Sequence, residues 1–266
     1  MSFILKNLAT PASFFYGHMI ANKVNIDFAV IGFPKCATTS IHKTLEAVPA
    51  VYMPDFEVQV PSLIKGWLKR PTDCVKLGIK NPNIIYELHN FMALLKSNRN
   101  MKFIVSLRNP SEWIFSFYQY RMLEIKENKK WLLPILKKHP EYRNVTFNNI
   151  VYDDIDFLGV SKQAGFFVDY LSRLLTKCEA SRILILLTEE IAGQPLKAYE
   201  RIYQFLEIDS TNQSSSGIEA NKNNMRYDKK SEFTEQFSYL NEFYKPKNKE
   251  LNDLLKSNWG YENTYW

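Results

Sequence analysis

The chain has 266 residues, 45% hydrophobic and 14% aromatic, so it can bury a large core, and neither a disordered chain nor a minimal stapled scaffold fits. With 34 Lys and Arg against 28 Asp and Glu, the net charge is +6 and the pI about 9.0; this favours anionic ligands but is too modest and scattered for a dedicated nucleic-acid binder. Cys36, Cys74 and Cys178 are too few and too far apart for a disulfide framework or a structural zinc site, and no histidine pairs with them at ligand spacing, so no metal and a reducing, cytoplasmic compartment are expected.

Residues 1–25 read as an N-terminal arm. Phe3, Ile4, Leu5, Phe14, Phe15 and Tyr16 are interrupted by Lys6, Asn7, Pro11 and His18, too broken a pattern to span a bilayer. The expectation is an apolar arm packed on the domain, with no membrane contact. Phe28 to Phe33 is an apolar run ending in loop residues, after which Thr38-Thr39-Ser40 opens an amphipathic stretch through Ile41, Leu45 and Val48, giving strand, tight loop and helix. Cys74 to Ile79 is a second strand, followed after Asn81-Pro82 by a helical pattern with Ile84, Ile85, Leu88, Phe91, Met92 and Leu95 on one side. Lys102 to Leu107 is a third strand, and Asn109-Pro110 starts a helix carrying Trp113, Phe117 and Tyr120.

Phe166 to Cys178 is helical, Arg182 to Leu187 a strongly apolar strand, and Leu196 to Leu206 helical again. Residues 126–160 and 209–230 are polar and read as lid or variable loops. Beyond them, Glu232 to Tyr244 and Lys247 to Lys256 read as two short helices separated by Pro246. Strands alternating with helices imply one α/β domain over 1–266, its central parallel sheet flanked by helices.

Gly32-Phe33-Pro34-Lys35-Cys36-Ala37-Thr38-Thr39, followed by Ser40, lies between the first strand and its helix. Backbone N–H groups at a helix N-terminus, with a lysine and hydroxyls, make a P-loop-like phosphate-binding loop. It departs from the nucleoside-triphosphate loop, because Ala37 and Thr38 stand where that loop has Gly and Lys, and its lysine, Lys35, comes earlier. In triphosphate enzymes the neighbouring strand commonly ends in an aspartate that helps hold magnesium. Here the strand ends Leu107-Arg108-Asn109-Pro110, so a cation takes that place and points to a second anionic group. Ser116, about two helical turns on, has a hydroxyl that can share this group with Arg108.

Taken together, Gly32 to Thr39 and Arg108 to Tyr118 resemble the two signature segments of the sulfotransferases that use 3′-phosphoadenosine 5′-phosphosulfate (PAPS). The first is similar to their 5′-phosphosulfate loop, and the second to their 3′-phosphate motif, whose arginine and serine fall on Arg108 and Ser116. The resemblance extends over Gly165 to Ile208 and the ending Tyr244-Lys-Pro-Lys-Asn248, and is nearest to the heparan sulfate sulfotransferase-like branch that includes bacterial natural-product enzymes. It implies a catalytic base after the first helix. Glu57 in Pro54-Asp55-Phe56-Glu57 occupies that place, although Phe56 stands where the family commonly has lysine. Asp55 and His42 are alternatives, His42 being expected on the surface of its helix. Lys80 matches a strand-end lysine that faces the sulfonate. The late 3′-phosphate cap has its equivalent in Asn221 to Tyr227, where Arg226 is the candidate and the family's glycine is missing.

The reading is therefore sulfuryl transfer from PAPS to a hydroxyl or amine of a small-molecule acceptor, without metal. Lys35, Glu57 and Lys80 are the catalytic candidates; Lys35, Cys36, Ala37, Thr38, Thr39, Ser40, Arg108, Ser116 and Arg226 are the nucleotide-binding ones. A P-loop small-molecule kinase and a non-catalytic nucleotide-binding module are the alternatives. The Golgi anchor of glycan sulfotransferases is not seen, and the Asn-, Lys- and Ile-rich composition suits an AT-rich genome. A bacterial enzyme tailoring a secondary metabolite, including alkaloids such as the saxitoxins, is the expectation; the sequence leaves the acceptor and the oligomeric state open.

Overall fold

In the computed structural model, which describes residues 16, 19–64, 66–209 and 230–266, the first strand is Phe28–Val30 (β1), buried throughout. The described residues fall into two compact units, one within 1–107 and 170–222, the other within 108–169 and 223–266. The N-terminal arm lies mostly outside the described residues, as does nearly all of 209–230.

The first unit follows β1 with α1 (Thr38–Glu46), β2 (Val51–Tyr52), α2 (Val60–Ile64), β3 (Lys76–Lys80), α3 (Leu88–Ser97) and β4 (Lys102–Leu107). All strands pair in parallel, in the order β2-β3-β1-β4-β5, where β5 is Ile183–Leu187. Their nearly continuous apolar character reflects burial on both faces. On one face, Phe28, Val30, Ile104 and Leu186 pack with Ile41 and Leu45 of α1 and with Tyr199, Ile202 and Leu206. On the other, Phe91 of α3 meets Phe103 of β4, ring centroids 4.7 Å apart. Gly78 is required beside β1, because a Cβ there would lie 2.1 Å from the Phe28 ring. The chain leaves β1 toward β2 and leaves β4 toward β5, so the sheet's topological switch point lies at the C-terminal ends of β1 and β4, where open α/β sheets bind ligands.

The second unit holds α4 (Pro110–Lys126), α5 (Leu133–Lys138) and α6 (Phe147–Tyr152). Asn109 caps α4 by accepting from the Ser111 and Glu112 amides at 2.9 and 3.3 Å, and Pro110 takes the first helical position. The stretch 126–160 is not one long loop. Pro134 stands in the first turn of α5, and Thr146 and Asn149 form a reciprocal capping box on α6. Phe115 gathers Phe147, Phe233 and Phe237 at 5.0 to 5.4 Å between ring centroids. The helix α7 (Phe167–Leu175) leads back to the first unit, which is completed by β5, α8 (Thr188–Gly193) and α9 (Pro195–Leu206).

The chain's last helix corrects an expectation. Residues Thr234–Trp259 form one helix, α10, with Pro246 inside it, rather than two helices broken there. Proline in a helix interior costs roughly 3 kcal/mol. Here Leu240, Tyr244, Leu251 and Leu255 form one buried stripe on both sides of it, and the Tyr244 hydroxyl donates to the Lys162 carbonyl at 2.9 Å. Packing along that stripe outweighs the local break. Two further differences are small: β2 has only two residues, too few for a period to register, and the second expected strand runs Lys76–Lys80 rather than from Cys74.

Candidate functional site

The loop after β1 begins by extending the sheet, with the Ile31 amide donating to the Ile104 carbonyl at 2.9 Å. Gly32 then passes so close to β4 that a Cβ would lie 3.0 Å from both the backbone nitrogen and Oγ of Ser106. Phe33 is fully buried and meets Tyr86 and Tyr170 edge-on at 5.6 and 5.5 Å, those two being 5.1 Å from each other. This three-ring cluster anchors the base of the loop. The Cys36 amide donates back to the Phe33 carbonyl at 3.2 Å, closing a tight turn.

Inside that turn Lys35 and Ala37 both have left-handed backbone, at φ 66° and 59°. For residues with a Cβ this costs roughly 1–2 kcal/mol each, and Ala37 stands where the triphosphate loop uses glycine. The strain turns the chain into α1 with Ala37 at the N-cap, where no side chain caps the helix and its first turn holds no acidic residue. An anion is the natural complement of such a terminus. Thr38 is buried, Thr39 exposed and Ser40 half-buried. The Cys36 side chain is fully buried, so it faces an anion only through its amide.

The segment after β2 is tied to β3 and the turn after it at Val58. The Val58 amide donates to the Lys80 carbonyl at 3.0 Å, and the Asn81 amide group donates to the Val58 carbonyl at 3.0 Å. Just before these ties, Glu57 Oε1 lies 3.6 Å from Lys80 Nζ. Glu57 and Lys80, expected in the site from separate segments, are thus brought together, and Lys80 is nearly buried rather than a solvated strand end. The expected surface position of His42 is wrong: it is buried, its Nε2 2.8 Å from the Pro54 carbonyl oxygen. Burial pushes its pKa below the ordinary value, Lys80 adds to that, and the Pro54 hydrogen bond, Glu46 and Asp55 oppose it. The signal was available in the spacing, since His42 sits beside Ile41 and one turn before Leu45 on the inward stripe. Asp55 is exposed.

In the second unit, Arg108 directly follows β4 and its guanidinium reaches Glu112 at 3.3 Å. Ser116 is buried on α4. Arg226 lies outside the described residues. Among the described residues no group of three His, Cys, Asp or Glu side chains could hold a metal ion, and no helix is long and apolar enough to cross a membrane.

A sequence profile of the sulfotransferase domain matches residues 25–250, which takes in parts of both units. The chain belongs to the sulfotransferase family. Among solved structures, this sulfotransferase is similar to one from Alicyclobacillus acidocaldarius, with a TM-score of 0.64 and 14% identity over 87% of this chain and 96% of that one. It also matches the sulfotransferase domain of the curacin biosynthetic pathway, at TM-score 0.47 and 13% identity over 70% and 75% of the two chains. A mouse sulfotransferase, SULT7A1, complexed with PAP matches at TM-score 0.47 and 15% identity over 77% and 66%. No curated protein sequence matches the chain significantly. At 14% identity the likeness to the Alicyclobacillus acidocaldarius structure speaks for the fold alone, an α/β architecture around a parallel sheet. What sequence reasoning missed in the sulfotransferase is supporting structure: the Gly32–Ser106 approach, the Phe33 ring cluster, and the Asn81 tie, whose only sequence signal was the Asn-Pro turn.

Proposed function

We propose that this sulfotransferase is a single functional domain that moves a sulfuryl group from PAPS to a hydroxyl or amine of a small-molecule acceptor. The observation that carries the reading is the Glu57–Lys80 pair, a half-exposed carboxylate held against a strand-end cation, in a chain of this family that also keeps the strained Gly32–Ser40 turn. The turn fits the 5′ side of the nucleotide: its helix terminus lacks a carboxylate and a side-chain cap, and Lys35 adds positive charge. Lys35 with the amides of Cys36, Ala37, Thr38, Thr39 and Ser40 stabilises the charge that grows on the 5′-phosphate oxygen as its bond to sulfur breaks. Thr38 and Thr39 also offer hydroxyls. Glu57 takes the proton that leaves the acceptor as the new bond to sulfur forms, and Lys80 faces the sulfonate oxygens. Arg108 and Ser116 select the donor by its 3′-phosphate, and Arg226 is the further candidate for binding it.

The acceptor class rests on the resemblance to the branch that includes bacterial natural-product enzymes. It is a secondary metabolite, with the saxitoxin-like alkaloids as one group to try, and the setting is the bacterial cytoplasm. The test is incubation with sulfur-labelled PAPS and a panel of phenols, alcohols and amines, beside thermal melts with adenosine 3′,5′-bisphosphate (PAP) and with ATP and magnesium. Label transfer and metal-independent stabilisation by PAP are expected, because binding to the folded state raises the melting temperature. Strong stabilisation by ATP with magnesium and none by PAP would favour the kinase; PAP binding with no transfer to any acceptor would favour a non-catalytic module.

A further inference from the structure

We infer that His42 is a positioning residue for Glu57, tying the segment that carries this carboxylate to the helix that carries the phosphate loop. A carbonyl oxygen only accepts, so the 2.8 Å contact with Pro54 requires the proton on His42 Nε2. The bond is buried, and it fixes the chain three residues before Glu57. On the far side, Val58 is held by the Lys80 carbonyl and the Asn81 side chain. Glu57 therefore lies on a short span clamped at both ends, while its own side chain is 43% exposed and turned partly to solvent. Among the described residues the Glu57 carboxylate meets Lys80 in an ion pair at 3.6 Å, which is too long to hold it in one orientation by hydrogen bonding. The backbone clamp instead fixes the point from which the Glu57 side chain departs. His42 also lies one helical turn beyond Thr38, so α1 presents the phosphate loop at its first residues and grips the Glu57 segment with its next turn. One rigid helix thereby sets the distance between the groups that bind the donor and the group that accepts the proton.

The inference rests on the reading of Glu57 as the base, and two measurements keep the two apart. Amide hydrogen exchange reports the clamp without any substrate. In His42→Leu, which keeps the bulk and loses the donor, exchange of the Val58 amide should rise about tenfold, the worth of one buried hydrogen bond. His42→Gln, whose amide can donate from nearly the same reach, should restore protection. If the Leu variant does not fold, His42→Asn gives the same comparison, since its amide stops short of Pro54. Unchanged exchange at Val58 overturns the clamp, and so does a rise spread equally over α1 and β3, which would mark a general packing role.

Turnover is then measured with the acceptor that accepts label fastest in the panel, or by release of labelled sulfate to water. His42→Leu should lower kcat by about ten- to a hundredfold, the usual result of displacing a catalytic group by about 1 Å, with PAP affinity unchanged. In a Glu57→Gln background the same substitution should cost almost nothing further. Equal losses in both backgrounds overturn the positioning role even if Glu57 is the base. Full turnover in Glu57→Gln removes the base reading, and the exchange result still decides the clamp.

Discussion

Glu57 and Lys80 stand 3.6 Å apart with very unequal exposure, the carboxylate side chain 43% exposed and the ammonium-bearing one 9%. Such a pair adds little to stability, because an ion pair open to water is worth about 0–1 kcal/mol, yet it leaves the carboxylate reachable. Glu57→Gln should therefore lower turnover by about a hundredfold or more while the melting temperature and PAP affinity stay close to wild type. Steady-state kinetics beside a thermal melt checks this; unchanged turnover would move the base to the exposed Asp55, His42 being buried with its Nε2 proton on the Pro54 carbonyl.

Arg108 tests the donor. A charge-assisted hydrogen bond to a bound anion contributes roughly 1.5–3 kcal/mol, so Arg108→Ala should weaken PAP by about ten- to a hundredfold. Adenosine 5′-phosphosulfate, without the 3′-phosphate, should bind the wild type poorly and be indifferent to the change. Ser116→Ala should show the same selectivity at smaller size, a neutral hydroxyl giving a weaker bond. Equal losses for both nucleotides in a calorimetric titration would assign Arg108 to structure, through its Glu112 contact.

The phosphate loop should respond to backbone chemistry before side-chain chemistry. Ala37 sits at φ 59°, so Ala37→Gly removes the Cβ strain and should keep or raise the melting temperature, while Ala37→Val, β-branched, should lower both stability and PAP affinity. Gly32→Ala must push against the Ser106 backbone, and should lose PAP affinity even where the protein folds. Lys35→Ala leaves the loop's shape intact and should cost about a hundredfold or more in turnover. Equilibrium melts with PAP titrations separate these three effects.

Pro246 provides a stability test outside the site. It lies inside α10, where a residue with an amide hydrogen could donate to the Glu242 carbonyl. Pro246→Ala restores that donor and should raise stability by about 1–3 kcal/mol, the helix gain less the lost restriction of the unfolded chain. Chemical denaturation would show it; a loss of stability would mean that the helix's packing uses the proline ring.

The parts of this fold that were legible in the sequence are those where a local pattern and the tertiary demand coincide. Lys102 to Leu107 reads as a strand and is one with the same bounds, because a central parallel strand buried on both faces is apolar at every position. Asn109-Pro110 reads as a helix start for the same reason: cap, proline and apolar stripe agree. Where the two conflict the sequence misleads. Pro246 looks like a break, but the buried stripe through Tyr244 and Leu251 decides otherwise. His42 is a different case, its inward position being readable from its spacing to Leu45 but its Pro54 partner not. The resemblance put Glu57 and Lys80 in one site, but their direct contact was not legible, since nothing local links a loop carboxylate to the end of a strand that follows it; only the fold does that.

The buried imidazole gives the chain a measurable acid sensitivity. The His42 pKa in the folded protein is depressed, first by burial and then by Lys80, against a reference of 6.5. The unfolded chain therefore binds more protons than the folded one between the folded and unfolded pKa values. Over that window stability rises with pH, so the His42 contribution is fully present above 6.5 and is lost as pH falls through the folded value. Carboxylates across the chain also titrate in acid, so the comparison that isolates His42 is the difference between wild type and His42→Gln, which keeps the hydrogen bond to Pro54 and cannot take a proton. From pH 7 downward the wild type should lose stability faster than the variant, beginning near 6.5, and the two curves should run parallel above it. Urea denaturation at half-unit steps of pH checks the difference, and parallel curves throughout would mean that His42 opens to solvent and titrates as it does in the unfolded chain.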